Sequence, residues 1–254
     1  MRRPPILFTR PTYEWINQVA HKHREFVALE PSAEELEKLF RLIEIEFALG
    51  AFGLEGADLS EKQIEQLASL PFDNHANISE AEREAASQIE ALRLIRALAL
   101  SEGRNATLTP ELLLRLRNPF GNAEFRKSPG DLSRSVKPAS PQHLHARLQS
   151  AGFWFTAESF LELNPVEQAA IVLLRLIEIQ PFENANDRMA ITSASLFLMR
   201  SDLPPLIIRP DRTDSYRAAV EESFQSNTKP MVELVAQATE QTLARMIQSI
   251  TQNR

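Results

Sequence analysis

Between two apolar runs, the stretch Gln180-Pro181-Phe182-Glu183-Asn184-Ala185-Asn186-Asp187-Arg188 gathers amides, carboxylates and a guanidinium. A loop that feeds a helix through small residues and an arginine suits an anion, a diphosphate above all. The helix start presents N–H groups without intrahelical partners and a partial positive charge. Arg188 falls in the first turn of the following helix, where the dipole disfavours a cation. An anionic ligand would relieve that, and so would a salt bridge to Glu183, Asp187 or another local acid. On the residues alone, both readings stay open.

The segments on either side must position this loop. "VEQAAIVLLRLIEI" ahead of it is apolar or small nearly all round, which predicts a central buried helix. Asn164-Pro165 opens that helix. Gln180-Pro181 ends it, because the residue before proline disfavours the α region. "RMAITSASLFLM" carries no charge after Arg188 and predicts a second buried helix. Upstream, Ser32 with Glu35, Ser60 with Gln63 and Ser79 with Glu82 are capping boxes that start helices. Gly50, Gly53 and Gly56 predict a break in the helix that begins near Ser32. Residues 1–15 read as an extended arm, and Thr109-Pro110 starts another helix. Residues 118–142 are an irregular excursion rich in proline and serine, of the kind that is usually functional or mobile. Phe125 and Arg126 with Val136 predict a short hairpin there. "LPPLIIRPDRTDSY" is a proline-rich connection, followed by helices from Tyr216 to about Phe224 and over 230–250.

The 254 residues, with only 7 glycines and 2 tyrosines, predict an all-α fold in one compact domain. A net charge of −6 argues against nucleic acid and membrane surfaces as partners. The absence of cysteine excludes disulfides and thiolate metal sites. The start shows no secretory pattern and the chain no apolar span, so a soluble cytoplasmic protein is expected. A homodimer stays open. The histidines offer no evident catalytic base: His21 and His23 read as a solvated face and His75 as a loop residue. The pair His143 and His145 lacks a third metal ligand.

The loop resembles the signature of the Fic (Fido) family, His-Pro-Phe-x-Asp/Glu-Gly-Asn-Gly-Arg-x-x-Arg. Pro181, Phe182, Asn186 and Arg188 are kept. "NANDR" is also similar to the loop of Doc, the kinase branch, which has Ala-Asn-Lys-Arg there. "IEFALGAFGLEGADLS" resembles the family's inhibitory helix region, with Ala51 at the hydroxyl position and Glu55-Gly56 kept. "GNAEFRKSPG" resembles the start of the target-docking flap. The likeness covers roughly residues 33 to 245 in the family's order. It implies an all-α Fic-like helical core with an N-terminal helical extension and a short β-hairpin flap. Residues 1–117 would form the N-terminal region with its inhibitory-like segment, continuous with a core over 118–254.

The resemblance implies transfer of AMP from ATP, with Mg²⁺, onto a hydroxyl of a target protein. It places the nucleotide on Phe182, Asn184, Ala185, Asn186, Asp187 and Arg188, and the target on Phe125, Arg126 and Lys127. The departures point the other way. Gln180 stands where the family has its base, and a neutral amide has no basic site near pH 7; losing a general base costs about 10²–10⁴ in rate. Asn184 replaces the metal-holding acid with at best a carbonyl oxygen. Ala185 and Asp187 replace glycines. Asp187 also brings a charge that repels phosphate by roughly 4 kcal/mol at about 4 Å and an effective dielectric near 20. Ile191 replaces the second arginine, which leaves Glu55 without its counterpart. The expectation is a pseudoenzyme with a degenerate motif, no catalytic residue, no metal and no cofactor, acting by binding a protein or ligand. The alternative is an active variant nucleotidyl- or phosphotransferase that modifies a protein hydroxyl with ATP and Mg²⁺.

Overall fold

The computed structural model describes residues 13–55, 59–69, 78–119, 123–131 and 137–254. Their helices are α1 (Tyr13–Ala28), α2 (Ala33–Glu55), α3 (Glu61–Ser69), α4 (Glu80–Glu102), α5 (Pro110–Arg117) and α6 (Leu144–Trp154). Then follow α7 (Glu158–Leu161), α8 (Pro165–Ile179), α9 (Asn186–Met199), α10 (Thr213–Phe224) and α11 (Lys229–Asn253). No strand occurs among the described residues. None of the described helices is long and apolar enough to cross a membrane.

α8 and α9 are the centre. Ala169, Ala170, Val172, Leu173 and Leu174 of α8 and Ala194, Leu196, Phe197 and Leu198 of α9 are all but inaccessible to solvent. Side chains on every face can be apolar because α2, α4, α5, α6 and α11 surround the pair. Trp154, Phe155 and Phe160 close one end. Phe155 and Phe160 meet Phe197 edge-on at 5.6 and 5.7 Å between ring centres. Arg200, just past α9, is buried there. It donates to the Ala106 carbonyl and to Oε1 of Gln168, and burial pushes its guanidinium down to about 10. α1 lies along α11, with Val19 and Phe26 turned inward.

The capping boxes form as expected. Ser79 Oγ accepts from the Glu82 N–H while Glu82 Oε2 accepts from the Ser79 N–H, and Ser32 with Glu35 does the same. Thr109 caps α5, and Asn164 with Glu167 caps α8.

Some expectations fail for tertiary reasons. Residues 13–15 begin α1 and do not belong to an extended arm; residues 1–12 lie outside the described set. The glycine cluster does not break the helix at 50, because α2 continues through Gly50 and Gly53 to Glu55. Those glycines serve close approach. A Cβ on Gly50 would sit 2.5 Å from the Ile208 carbonyl oxygen, and one on Gly53 would sit 2.8 Å from Cγ of Pro210. α2 therefore presses its C-terminal turns onto the segment after α9. Arg93 fixes it from the other side, with a two-pronged bond to the buried Glu44 at 2.7 and 2.8 Å. The hairpin is likewise not seen. Phe125 and Arg126 pair with no strand, and Val136 lies outside the described residues. The Arg126 N–H is spent on the Pro181 carbonyl at 3.0 Å instead.

Gly50→Ala tests the close approach. Alanine gains about 1 kcal/mol in helix propensity, yet the clash is with backbone, and we expect a net loss of roughly 1–3 kcal/mol. Chemical denaturation measures it; a stabilised variant would contradict the packing of α2 on Ile208.

Candidate functional site

The loop between α8 and α9 is a short turn held by two left-handed residues and its own side chains. Gln180 ends α8 at φ 49°, ψ 71°, and Ala185 precedes α9 at φ 59°, ψ 23°. Neither is glycine, so each carries strain of about 1–2 kcal/mol. Asn186 staples the turn. Its Oδ1 accepts from the Phe182 N–H at 2.9 Å and its Nδ2 donates to the Phe182 carbonyl at 2.8 Å. Phe182 is buried, its ring 5.7 Å from that of Phe125.

Arg188 points into the protein and is 6% exposed. Its Nη2 donates to Oε2 of Glu84 at 2.9 Å, and its guanidinium lies over the Phe52 ring at 4.6 Å. Arg188 is in a salt bridge, but this partner is not a local acid: Glu84 sits 104 residues away on α4. Arg117 at the end of α5 holds the same carboxylate at 3.1 and 3.2 Å, and its Nη2 donates to Oδ1 of Asn184 at 2.8 Å. Burial alone would raise the Glu84 carboxyl; the guanidinium groups of Arg117 and Arg188 outweigh it and hold it below its ordinary value. One turn along both helices, Gln88 Nε2 donates to Oγ1 of Thr192 at 2.7 Å. Glu84 with Gln88 on α4 and Arg188 with Thr192 on α9 are thus successive rungs between two helices.

The remaining loop side chains are also engaged. Asp187 Oδ1 accepts from the Tyr216 hydroxyl at 2.7 Å. Glu183 is exposed but turns to the flap. The Ser128 hydroxyl, with the N–H groups of Lys127 and Ser128, holds its carboxyl below the usual range. Gln180 is buried, its carboxamide bonded to the backbone of Asp131. Ile191 is buried in the core.

A cleft of about 320 Å³ adjoins the loop, lined by Glu80, Arg83, Glu84, Arg117, Glu124, Glu183 and Asn184 among others. A second groove of about 260 Å³ between α10, α11 and residues 207–212 lies away from the loop. The first holds the loop's own side chains and is the candidate site.

The flap residues do not form one docking edge. Arg126 is 3% exposed, so it offers no surface contact. Its guanidinium caps the end of α8, donating to the carbonyls of Ile179 and Gln180, and to those of Ser128 and Ala139. Burial lowers its affinity for its proton, opposed by Glu183. Phe125 is half-buried; Lys127 is exposed and paired with Glu124. Of the inhibitory-like segment, Ala51 is buried, Glu55 ends α2, and Gly56 lies outside the described residues. Reading the sequence missed Glu84, Arg117, Phe52 and Tyr216. Nothing in the chain marks which of the acids on α4 faces α9.

Two buried helices joined by an anion-type loop, wrapped by helices, define the class of fold. Residues 107–198 match the Fic/DOC family. The protein adenylyltransferase fic-1 of Caenorhabditis elegans is 29% identical over 163 residues, covering 62% of this chain and 32% of that protein. The chain thus spans about a third of the length of that relative. A solved fragment of the worm protein superposes with a TM-score of 0.80 at 22% identity, covering 95% of this chain and 73% of the fragment. A Fic domain-containing signalling protein from Bacteroides thetaiotaomicron gives 0.79 at 21% identity, covering 92% of this chain and 98% of that one. IbpAFic2, solved covalently tethered to Cdc42, gives 0.52 at 15% identity, covering 93% of this chain and 72% of that one.

Glu84→Gln should cost roughly 1–2 kcal/mol at neutral pH, less than removing one partner of a fully buried pair. Because the folded carboxyl lies below its ordinary value of 4.5, the wild type's advantage is full above that pH. It should fade as the pH falls through the lowered folded value. Denaturation at pH 7 and pH 3 checks this; an advantage that grows in acid would contradict the ion pair.

Proposed function

We propose that this protein is a Fic-fold binding protein whose loop does not transfer AMP, and that it acts through a protein or ligand partner. The observation that carries the reading is the state of Arg188. The loop's one arginine is already bound by a carboxylate, Glu84, which Arg117 secures in turn. A nucleotide phosphate would have to displace that carboxylate from between two guanidinium groups.

The residues present do not fit Mg²⁺-ATP. The side-chain oxygen that Asn184 could offer a cation accepts from Arg117. Glu183 is bound to the flap at Lys127 and Ser128. The cleft lining carries Glu80, Glu84, Glu124 and Glu183 against Arg83 and Arg117, the wrong balance for a polyphosphate. Gln180 has no lone pair that takes a proton near pH 7, so a target hydroxyl would meet no base there. A protein partner is the favoured occupant of the surface, as Cdc42 is for IbpAFic2.

Incubation with labelled ATP, Mg²⁺ and a cell lysate should give no labelled protein above background, and calorimetry with ATP and other nucleotides should give no binding heat with or without Mg²⁺. Labelling that Arg188→Ala abolishes would overturn the proposal. Gln180→His should remain inactive in the same assay, since the phosphate and metal contacts stay blocked; vigorous transfer by that variant would show that the base is the only thing missing.

A further inference from the structure

We infer that Gln180 is the strap that holds the flap shut against the loop. Its carboxamide does to Asp131 what a neighbouring β-strand would do. Oε1 accepts from the Asp131 N–H at 2.7 Å, and Nε2 donates to the Asp131 carbonyl at 3.1 Å. The pair is buried on the glutamine side, with Gln180 4% exposed. Few side chains can replace it. Glutamate lacks the donor, asparagine is a carbon shorter, and the two nitrogens of an imidazole diverge too far to meet the N–H and C=O of one residue.

The surroundings are built for this contact. The left-handed backbone of Gln180, strained for a residue with a Cβ, is what leads the side chain out of α8. Gly130 leaves room for it: a Cβ there would lie 2.6 Å from Oε1 of Gln180 and 2.8 Å from Cβ of Pro138. Arg126 ties the same flap to the last carbonyls of α8, and its N–H reaches the Pro181 carbonyl. Glu183 takes the N–H groups of Lys127 and Ser128. The backbone donors of residues 126, 127, 128 and 131 are therefore already committed to the loop. A partner strand that paired with this edge would first have to displace Gln180 and Glu183. The flap of this chain is a wall of the site held by its own glutamine, and partners meet it through side chains.

The strap is a property of the flap alone, whether or not any nucleotide binds. Amide hydrogen exchange, read by NMR on the whole chain without ligand, tests it. Gln180→Ala should speed exchange of the Asp131 amide at least tenfold, with the amide of Leu173 in α8 changed far less. Gly130→Ala, which keeps the glutamine but crowds Oε1, should produce the same local release. An Asp131 amide as slow in either variant as in the wild type would overturn the strap. So would acceleration at Asp131 no greater than at Leu173, because that would be general destabilisation and not release of the flap.

Discussion

A guanidinium buried at the head of a helix needs a counter-charge, and the way Arg188 obtains one governs the arrangement around the loop. Without Glu84 it would be a cation at the end of α9 where the dipole is positive, shielded from water by Phe52. Its partner must come from α4, so the register of α4 on α9 is fixed, and Gln88 with Thr192 repeats that register a turn later. Phe52 must come from α2, which reaches it because Gly50 and Gly53 let that helix lie on Ile208 and Pro210. The Glu44–Arg93 pair then locks α2 to α4. One buried charge thus connects three helices distant in sequence.

The turn follows a similar logic on a smaller scale. It keeps two strained residues, Gln180 and Ala185, where glycine would be unstrained. Such conformations persist only where neighbours over-determine them. Here the neighbours are side chain to backbone pairs: Asn186 on Phe182, Gln180 on Asp131, Arg126 on Ile179 and Gln180. Each ties a polar group whose desolvation would otherwise be costly.

The sequence conveyed the parts governed by local chemistry. Helix starts at Ser32, Ser79, Thr109 and Asn164 were legible because a capping side chain bonds its own first turn. The buried pair α8 and α9 was legible because no polar face exists to place in water. What was hidden is what distant segments impose. A glycine that ends a helix and a glycine that admits another chain segment look the same in sequence, so Gly50 and Gly53 misled. Arg126 read as a surface residue because the carbonyls that accept it lie on a helix some fifty positions on, at Ile179 and Gln180. The loop's composition suggested an anion, and the carboxylate beside its arginine is a side chain of the protein, Glu84.

A transferase needs its arginine, its acid and its base to be available to the incoming substrate, since stabilising contacts must form in the transition state and not before it. In this chain the groups at those positions already have partners: Arg188 has Glu84, Asn184 has Arg117, and Gln180 has Asp131. Exchanging any one of these for a substrate contact breaks a bond that also holds a helix or the flap, and that cost comes off the substrate's binding energy. Under the proposed binding role, a loop tied down in this way leaves little ordering to be done when a partner arrives.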